Sequence, residues 1–315
     1  MESDHWLGVE LRHLAALQAI AEEGSFGRAA ERLGYTQSAV SQQIAVLERI
    51  VGQQLVERPG GPRPVSLTEA GKLLLRHAAG IVARLQAAQA DLASFAAGSA
   101  GTLRIGTYQS VGARVLPRLL REFGEAWPKV DIQLSESADD GQLLELVERG
   151  ELDLAFVMLP VEEGPFEAIE LMQDPHVLVV PAGSPLARRR RPPSLREVAG
   201  LPLIGFRQCR SLHQVENRFR DAGLEPRVVF RSDDNGTIQG LVAAGMGMAL
   251  VPLLAVEPNE EGIAVLPLAD VPPRRIGVAW HRDRYRSPAM GAFVESAQSV
   301  CSRIEDELTG SAAAA

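Results

Sequence analysis

Apolar positions between Leu11 and Leu47 fall into three short helical runs. Leu11, Leu14, Leu17, Ile20 and Ala21 recur at steps of three and four and predict a first helix that stops at Gly24. Phe26, Ala29, Ala30 and Leu33 predict a second helix behind Ser25, a good N-cap residue. Val40, Ile44 and Leu47 mark a third, opened by Thr36. The second helix is lined with alanine and a turn glycine, Gly34, precedes the third, as two closely crossing helices require. Two short apolar pieces follow, "QLVE" and "PVSLT", joined by the Pro- and Gly-rich "RPGGPRP". That hairpin reads as a wing, with Arg58 at its base and Arg63 at its tip. The predicted unit, residues 1–68, is a winged helix-turn-helix.

The third helix has an unusual outer face. Gln37, Ser38, Ser41 and Gln42 form a patch of short uncharged hydrogen-bonding groups where a surface helix ordinarily carries Glu and Lys. Gln and Ser bond to base edges in the major groove, and small side chains let a helix approach closely. The positive helix N-terminus, with Thr36 and Ser38, suits phosphate oxygens. The pattern therefore predicts double-stranded DNA as partner, with Gln37, Ser38, Ser41 and Gln42 on the reading face. Arg28, Arg58 and Arg63 are placed at phosphates or the minor groove. Favourable charge is modest: residues 1–68 hold six Arg and eight acidic residues, and from Gly24 to Thr68 the balance is five Arg against three Glu. One copy should bind weakly, so the sequence asks for multimerisation.

Thr68 then precedes a proline-free stretch to Ala97 in which Leu74, Ala78, Ile81, Leu85, Ala88, Leu92 and Phe95 alternate at four and three residues. This heptad series predicts a long dimerising linker helix over 69–98, with Leu74, Ile81, Leu85 and Leu92 in the seam. "AAGSAGT" closes it as a joint.

From Thr102 strand and helix patterns alternate: "TLRIGTY", "VLPRLLREFGEAW", "VDIQLSE", "GQLLELVERG", "LDLAFVM". Apolar strands separated by amphipathic helices predict a mainly parallel sheet covered on both faces. A second block begins near Leu186, and the chain returns to the first through "RRIGVAWH" and a helix from Pro288. The predicted domain spans 102–308, with lobe I about 102–181 and 266–308 and lobe II about 182–265. Two α/β lobes joined by crossing segments leave a cleft suited to a small ligand.

Composition narrows the class. The 315 residues are 46% hydrophobic and 23% charged with a net charge of −8, so neither a basic nucleic-acid coat nor a polybasic membrane anchor fits. The two cysteines, Cys209 and Cys301, are far apart in sequence and make no disulfide framework. "MESDHWLGVELRH" lacks the apolar core of a secretory signal, and no apolar run approaches a membrane span, so a cytoplasmic location is expected. The six His show no metal spacing, no G-x-S-x-G occurs, and "GMG" at Gly245–Gly247 precedes a strand instead of following one. No catalytic role and no cofactor are expected. The run Arg188–Arg191 reads as an exposed loop.

The chain resembles the LysR-type transcriptional regulators over nearly its full length. The resemblance rests on "AAERLGYTQSAVSQQIAVLE", then "LVER" and "LTEAG" around the wing, "LRIG", "GELDLAFV", "HVLVVPAGSPLA" and "LVAAGMGMALVP" in that order. It implies a homodimer assembling to a homotetramer, and a sensor domain similar to periplasmic solute-binding proteins. It also implies a small polar, anionic effector between the lobes, at Tyr108, Gln109, Ser110, Met158, Phe206, Arg207, Gln208, Asp233, Asp234 and Asn235. Ser110 and Arg207 suit an anion there, whereas Asp233 and Asp234 suit an amine or hydroxyls. Two departures stand out: the wing is two residues longer than the family's commonest form, and Gln42 stands where many members carry Arg. Some members sense peroxide through a cysteine pair near Cys209, which leaves a thiol-responsive regulator as an alternative. A two-lobed solute-binding protein or enzyme is the rival class, without the export signal or catalytic constellation it needs.

Overall fold

The computed structural model describes residues 5–57, 64–97, 101–161, 164–189, 191–207, 210–257, 260–268 and 271–314. The chain divides into two compact units, residues 1–89 and 90–315.

In the first unit, α1 (Leu11–Glu23), α2 (Phe26–Leu33) and α3 (Gln37–Val51) bury Leu14, Leu17, Ile20, Ala29, Ala30, Val40, Ile44 and Leu47 in one core. Gly34 ends α2 at φ 70, a left-handed conformation that lets the chain turn straight into α3. Thr36 caps α3, its Oγ1 accepting from the Ala39 amide at 3.2 Å. Ser25 occupies the N-cap position of α2 but makes no side-chain cap bond. The wing pairs β1 (Val56–Glu57) with β2 (Ser66–Leu67) antiparallel, and the Val65 amide donates to Gly24 O at 2.9 Å, fastening it to the end of α1. Arg58 and Arg63 lie outside the described residues.

Helix α4 (Glu69–Ala97) starts at Thr68, whose Oγ1 accepts from the Gly71 amide at 3.0 Å. A Cβ on Gly71 would stand 2.1 Å from Leu55 O, so only glycine lets this helix approach the wing so closely. The expected seam needs one correction. Leu74 and Ala78 are buried in the first unit's own core, because the opening turns of α4 pack on that domain. Ile81, Leu85 and Leu92 are exposed.

The second unit holds two five-stranded sheets. Lobe I contains β3 (Gly101–Thr107), α5 (Gln109–Arg114), α6 (Leu116–Ala126), β4 (Val130–Glu136), α7 (Asp140–Arg149), β5 (Leu154–Leu159) and β6 (Phe166–Asp174). Lobe II contains β7 (His176–Pro181), α8 (Leu195–Ala199), β8 (Leu203–Gly205), α9 (Arg210–Asp221), β9 (Val228–Arg231), α10 (Asn235–Ala243), β10 (Met248–Pro252) and β11 (Ile263–Pro267). The chain returns to lobe I as β12 (Arg274–His281) and α11 (Pro288–Ala314). Sheet orders are β4-β3-β5-β12-β6 and β11-β7-β10-β8-β9.

Continuous apolar strands arise because both faces are covered. In β5, Leu154 and Phe156 face a core shared with α6 and α11, while Ala155 and Val157 face one shared with α7. In β7, Leu178 and Val180 join the core under α8 and α9, and Val177 and Val179 join that under α10.

Two expectations are corrected. The sheets are mixed: β3 runs parallel to β4 and β5, but β12 is antiparallel to β5 and β6, and β7 to β10 and β11. Strands that enter a lobe through a crossing have no helix to turn them parallel. The lobe boundaries also move. β7 and β11 both belong to the second sheet, so lobe II extends from His176 to Pro267 and the crossings fall at Pro175 and between Pro267 and Arg274.

Candidate functional site

The first site is the outer face of α3. Thr36, Gln37, Ser38 and Gln42 are exposed and Ser41 is half-buried, while Val40, Ile44 and Leu47 hold the helix down from behind. Thr36 Oγ1 and Ser38 Oγ lie 3.0 Å apart, an ordered hydroxyl pair at the helix N-terminus. Tyr35 beside them is 48% exposed, an aromatic that the sequence pattern had not singled out. Arg28 is engaged by Glu23, donating to its carbonyl and lying 3.7 Å from its carboxylate, and Arg32 bonds to Glu22. Such exposed pairs are screened by solvent and weak, so a phosphate can take either guanidinium over.

The second site lies where the lobes meet. Asp174 ends β6 and Arg274 begins β12, paired across the sheet. Arg274 donates from Nε and Nη2 to Asp174 Oδ2 at 2.8 and 2.7 Å, and Asp174 Oδ1 accepts from the Leu254 amide of lobe II at 3.1 Å. Arg274 Nη2 also donates to Ser110 Oγ at 2.7 Å, and its guanidinium carbon lies 5.3 Å from the Tyr108 ring centroid. His176, just past the crossing, has Nδ1 3.0 Å from Pro272 O, and burial pushes its pKa down to about 4. Arg114 Nη1 donates to Val256 O at 2.9 Å, a further bond between the lobes.

Among the expected effector residues, Gln109, Asp234 and Asn235 are brought into direct contact. Gln109 Nε2 donates to Asp234 Oδ2 at 2.9 Å and its Oε1 accepts from the Asn235 amide at 3.0 Å. Ser110 is buried against Arg274. Tyr108 sits in the lobe I core under Arg274, its hydroxyl without a hydrogen-bond partner, and burial raises its pKa. Met158 is likewise buried, its amide donating to Asp140 Oδ2 at 3.1 Å. Phe206 is half-buried, its carbonyl accepting from Arg231 Nη1 at 2.8 Å. The Arg207 amide donates to Asp233 Oδ1 at 3.0 Å, and the two side chains form a loose pair at 4.0 Å. Gln208 and Cys209 lie outside the described residues. Arg274 and Asp174 were not anticipated; an aspartate and an arginine ending apolar strands at the two crossings were the available signal. Among the described residues no His, Cys, Asp and Glu cluster suits a metal ion, and no helix is long and apolar enough to cross a membrane.

A winged helix-turn-helix in one unit and a two-lobed α/β fold in the other are the architecture of a DNA-binding sensor. Residues 11–72 match the family described as bacterial regulatory helix-turn-helix protein, lysR family, and residues 96–302 match the LysR substrate binding domain. The chain belongs to the LysR family of transcriptional regulators. It is 35% identical to a probable hydrogen peroxide-inducible genes activator of Mycobacterium avium, over 91% of this chain and 95% of that protein. Identity to the regulator TtuA of Agrobacterium vitis is 33%, over 84% and 86%. Among solved structures, an OxyR mutant of Corynebacterium glutamicum superimposes with a TM-score of 0.60 at 28% identity, covering 96% of this chain and 95% of that one.

Proposed function

We propose that this regulator reads a partly palindromic operator with the Gln37, Ser38, Ser41 and Gln42 face of α3, as paired copies, in the cytoplasm where that DNA lies. A small polar effector held between the lobes at Gln109, Ser110, Asp234 and Asn235 alters its grip. The observation that carries the reading is the exposed, uncharged N-terminal face of α3 over a fully buried apolar stripe. Pairing rests on Ile81, Leu85 and Leu92, apolar side chains left exposed on α4 after Leu74 is buried; the sensor domains then join dimers into a tetramer. The effector acts only through its preference for one lobe arrangement over another.

The test is sedimentation and gel-shift on DNA flanking the gene. Leu85→Glu puts a charge in the seam and should yield monomers without tight operator binding. An intact assembly in that variant contradicts the pairing.

A thiol sensor is the weaker reading, although the Mycobacterium avium relative is named for peroxide induction. Cys301 is wholly buried on α11 and burial pushes its thiol up to about 12, so it stays protonated and unreactive. A cysteine pair within one chain would have to use it.

A further inference from the structure

Gln109 follows β3 on lobe I, while Asp234 and Asn235 open α10 on lobe II. Two bonds join them: the carboxamide donates to Asp234 Oδ2 at 2.9 Å and accepts from the Asn235 amide at 3.0 Å. The other cap oxygen, Asp234 Oδ1, is taken by the Thr237 amide at 2.6 Å. The first amide of a nine-residue helix is thus satisfied by a side chain from the opposite lobe. Helix N-terminal amides otherwise await an acceptor. The same carboxamide supplies the donor that the capping carboxylate accepts.

Among the described residues, the charges nearby are matched. Arg274 is held by Asp174, and Arg207 lies beside Asp233. Asp234 has only neutral donors, and hydrogen bonds from Gln109 and Thr237 keep its carboxyl below the usual range, so it is ionised at neutral pH. A simple anion placed on the Asn235 amide would meet that carboxylate unrelieved. A ligand with a donor next to its acceptor would not.

We infer that Gln109 is a built-in stand-in for the effector. It closes the lobes in the ligand-free protein, and the effector displaces it by presenting the same pair, an acceptor to the Asn235 amide and an adjacent donor to Asp234. α-Amino acids, α-hydroxy acids and primary amides carry that pair; plain carboxylates and plain amines do not. This rests on the cleft being the effector site and narrows the ligand class for it.

The test uses the full chain. Hydrogen exchange over the peptide spanning Asp234–Gln239 is compared in wild type, Gln109→Ala and Gln109→Glu. Loss of the latch should speed exchange of the Asn235 amide roughly tenfold, the worth of about one hydrogen bond, and Gln109→Glu, which loses the donor and faces Asp234, should open it at least as far. Thermal shifts are then measured with L-alanine, L-lactate and propionamide, which carry both groups, and with propionate and ethylamine, which carry one. One or more of the first three should stabilise the protein, at roughly tenfold lower concentration in Gln109→Ala, and the last two should not. Unchanged exchange in Gln109→Ala overturns the stand-in alone. Stabilisation by propionate equal to that by lactate, or by no probe, overturns the ligand class. Probes that stabilise wild type and Gln109→Ala equally, without protecting the Asn235 amide, overturn the cleft itself as the ligand site.

Discussion

Helices α3 and α10 begin with the same device and meet different fates. Thr36 Oγ1 accepts from the Ala39 amide, and Asp234 Oδ1 accepts from the Thr237 amide. At α3 the cap is neutral, and the amides of Gln37 and Ser38 have no partner among the described residues. At α10 the cap is a carboxylate, and Gln109 of the other lobe covers the first amide. A neutral open terminus welcomes phosphate oxygens, whereas an acidic filled one turns a bare anion away. The two helix termini therefore differ in what they can accept. On the proposed reading, DNA would meet a surface already exposed, and a small ligand would have to displace an internal bond, so its preference for the opened state would set the size of the response.

Breaking the clamp behind the filled terminus should have the largest effect. Arg274→Ala leaves Asp174 buried without the partner that its carboxyl bonds, at a cost of about 3–5 kcal/mol. Urea unfolding followed through Trp280 should show it, with the first unit spared. A loss under about 1 kcal/mol would mean that the pair does not hold the crossings. Acid comes next, through His176 beside the same crossing. Its folded pKa, about 4, lies below the ordinary imidazole value of 6.5. The unfolded chain therefore binds the extra proton, and stability present above pH 6.5 is lost as pH falls toward 4, by about 3 kcal/mol at most. His176→Gln should flatten that slope in a pH series of melts; an unchanged slope assigns it elsewhere.

The two caps can be compared directly. Thr36→Ala should cost the first unit about 1 kcal/mol. Asp234→Ala should cost the second unit more, since the Gln109 bond goes with the cap; equal losses would show that the cross-lobe bond contributes nothing. Smallest is Arg28→Ala. If Arg28, released from Glu23, makes one phosphate contact, its loss should weaken all sequences alike and lower the salt slope by about one.

What was legible in the sequence follows from how local each signal is. Val40, Ile44 and Leu47, the turn at Gly34 and the Thr36 cap lie within a few residues of one another, and the helix-turn-helix reads directly from them. Strands β3, β4, β5 and β12 of lobe I were also legible, as in "VDIQLSE", which is β4 residue for residue, whereas β6, with its Glu and Gln positions, was not singled out. The lobe boundary was not. β7 is as apolar as its neighbours, and only its pairing with β10 and β11 assigns it to the second sheet. Leu74 fits a heptad equally well whether it meets another chain or its own domain. Gln109, Asp234 and Asn235 were each nominated separately, but their mutual bonds span 125 and 126 residues and no local pattern carries them. The burial of Tyr108 was hidden for the same reason, since Arg274, which covers it, lies far along the chain.

The account turns most directly on whether the open face of α3 reads bases. Fluorescence anisotropy should be measured for wild type and Gln42→Ala on the preferred operator and on a set carrying each single base-pair change. Gln42→Ala should lose about 1–3 kcal/mol on the preferred site and become indifferent at one or two positions, while its affinity for unrelated DNA is unchanged. If the variant ranks the substituted operators just as wild type does, Gln42 reads nothing and the recognition face assigned to α3 is wrong.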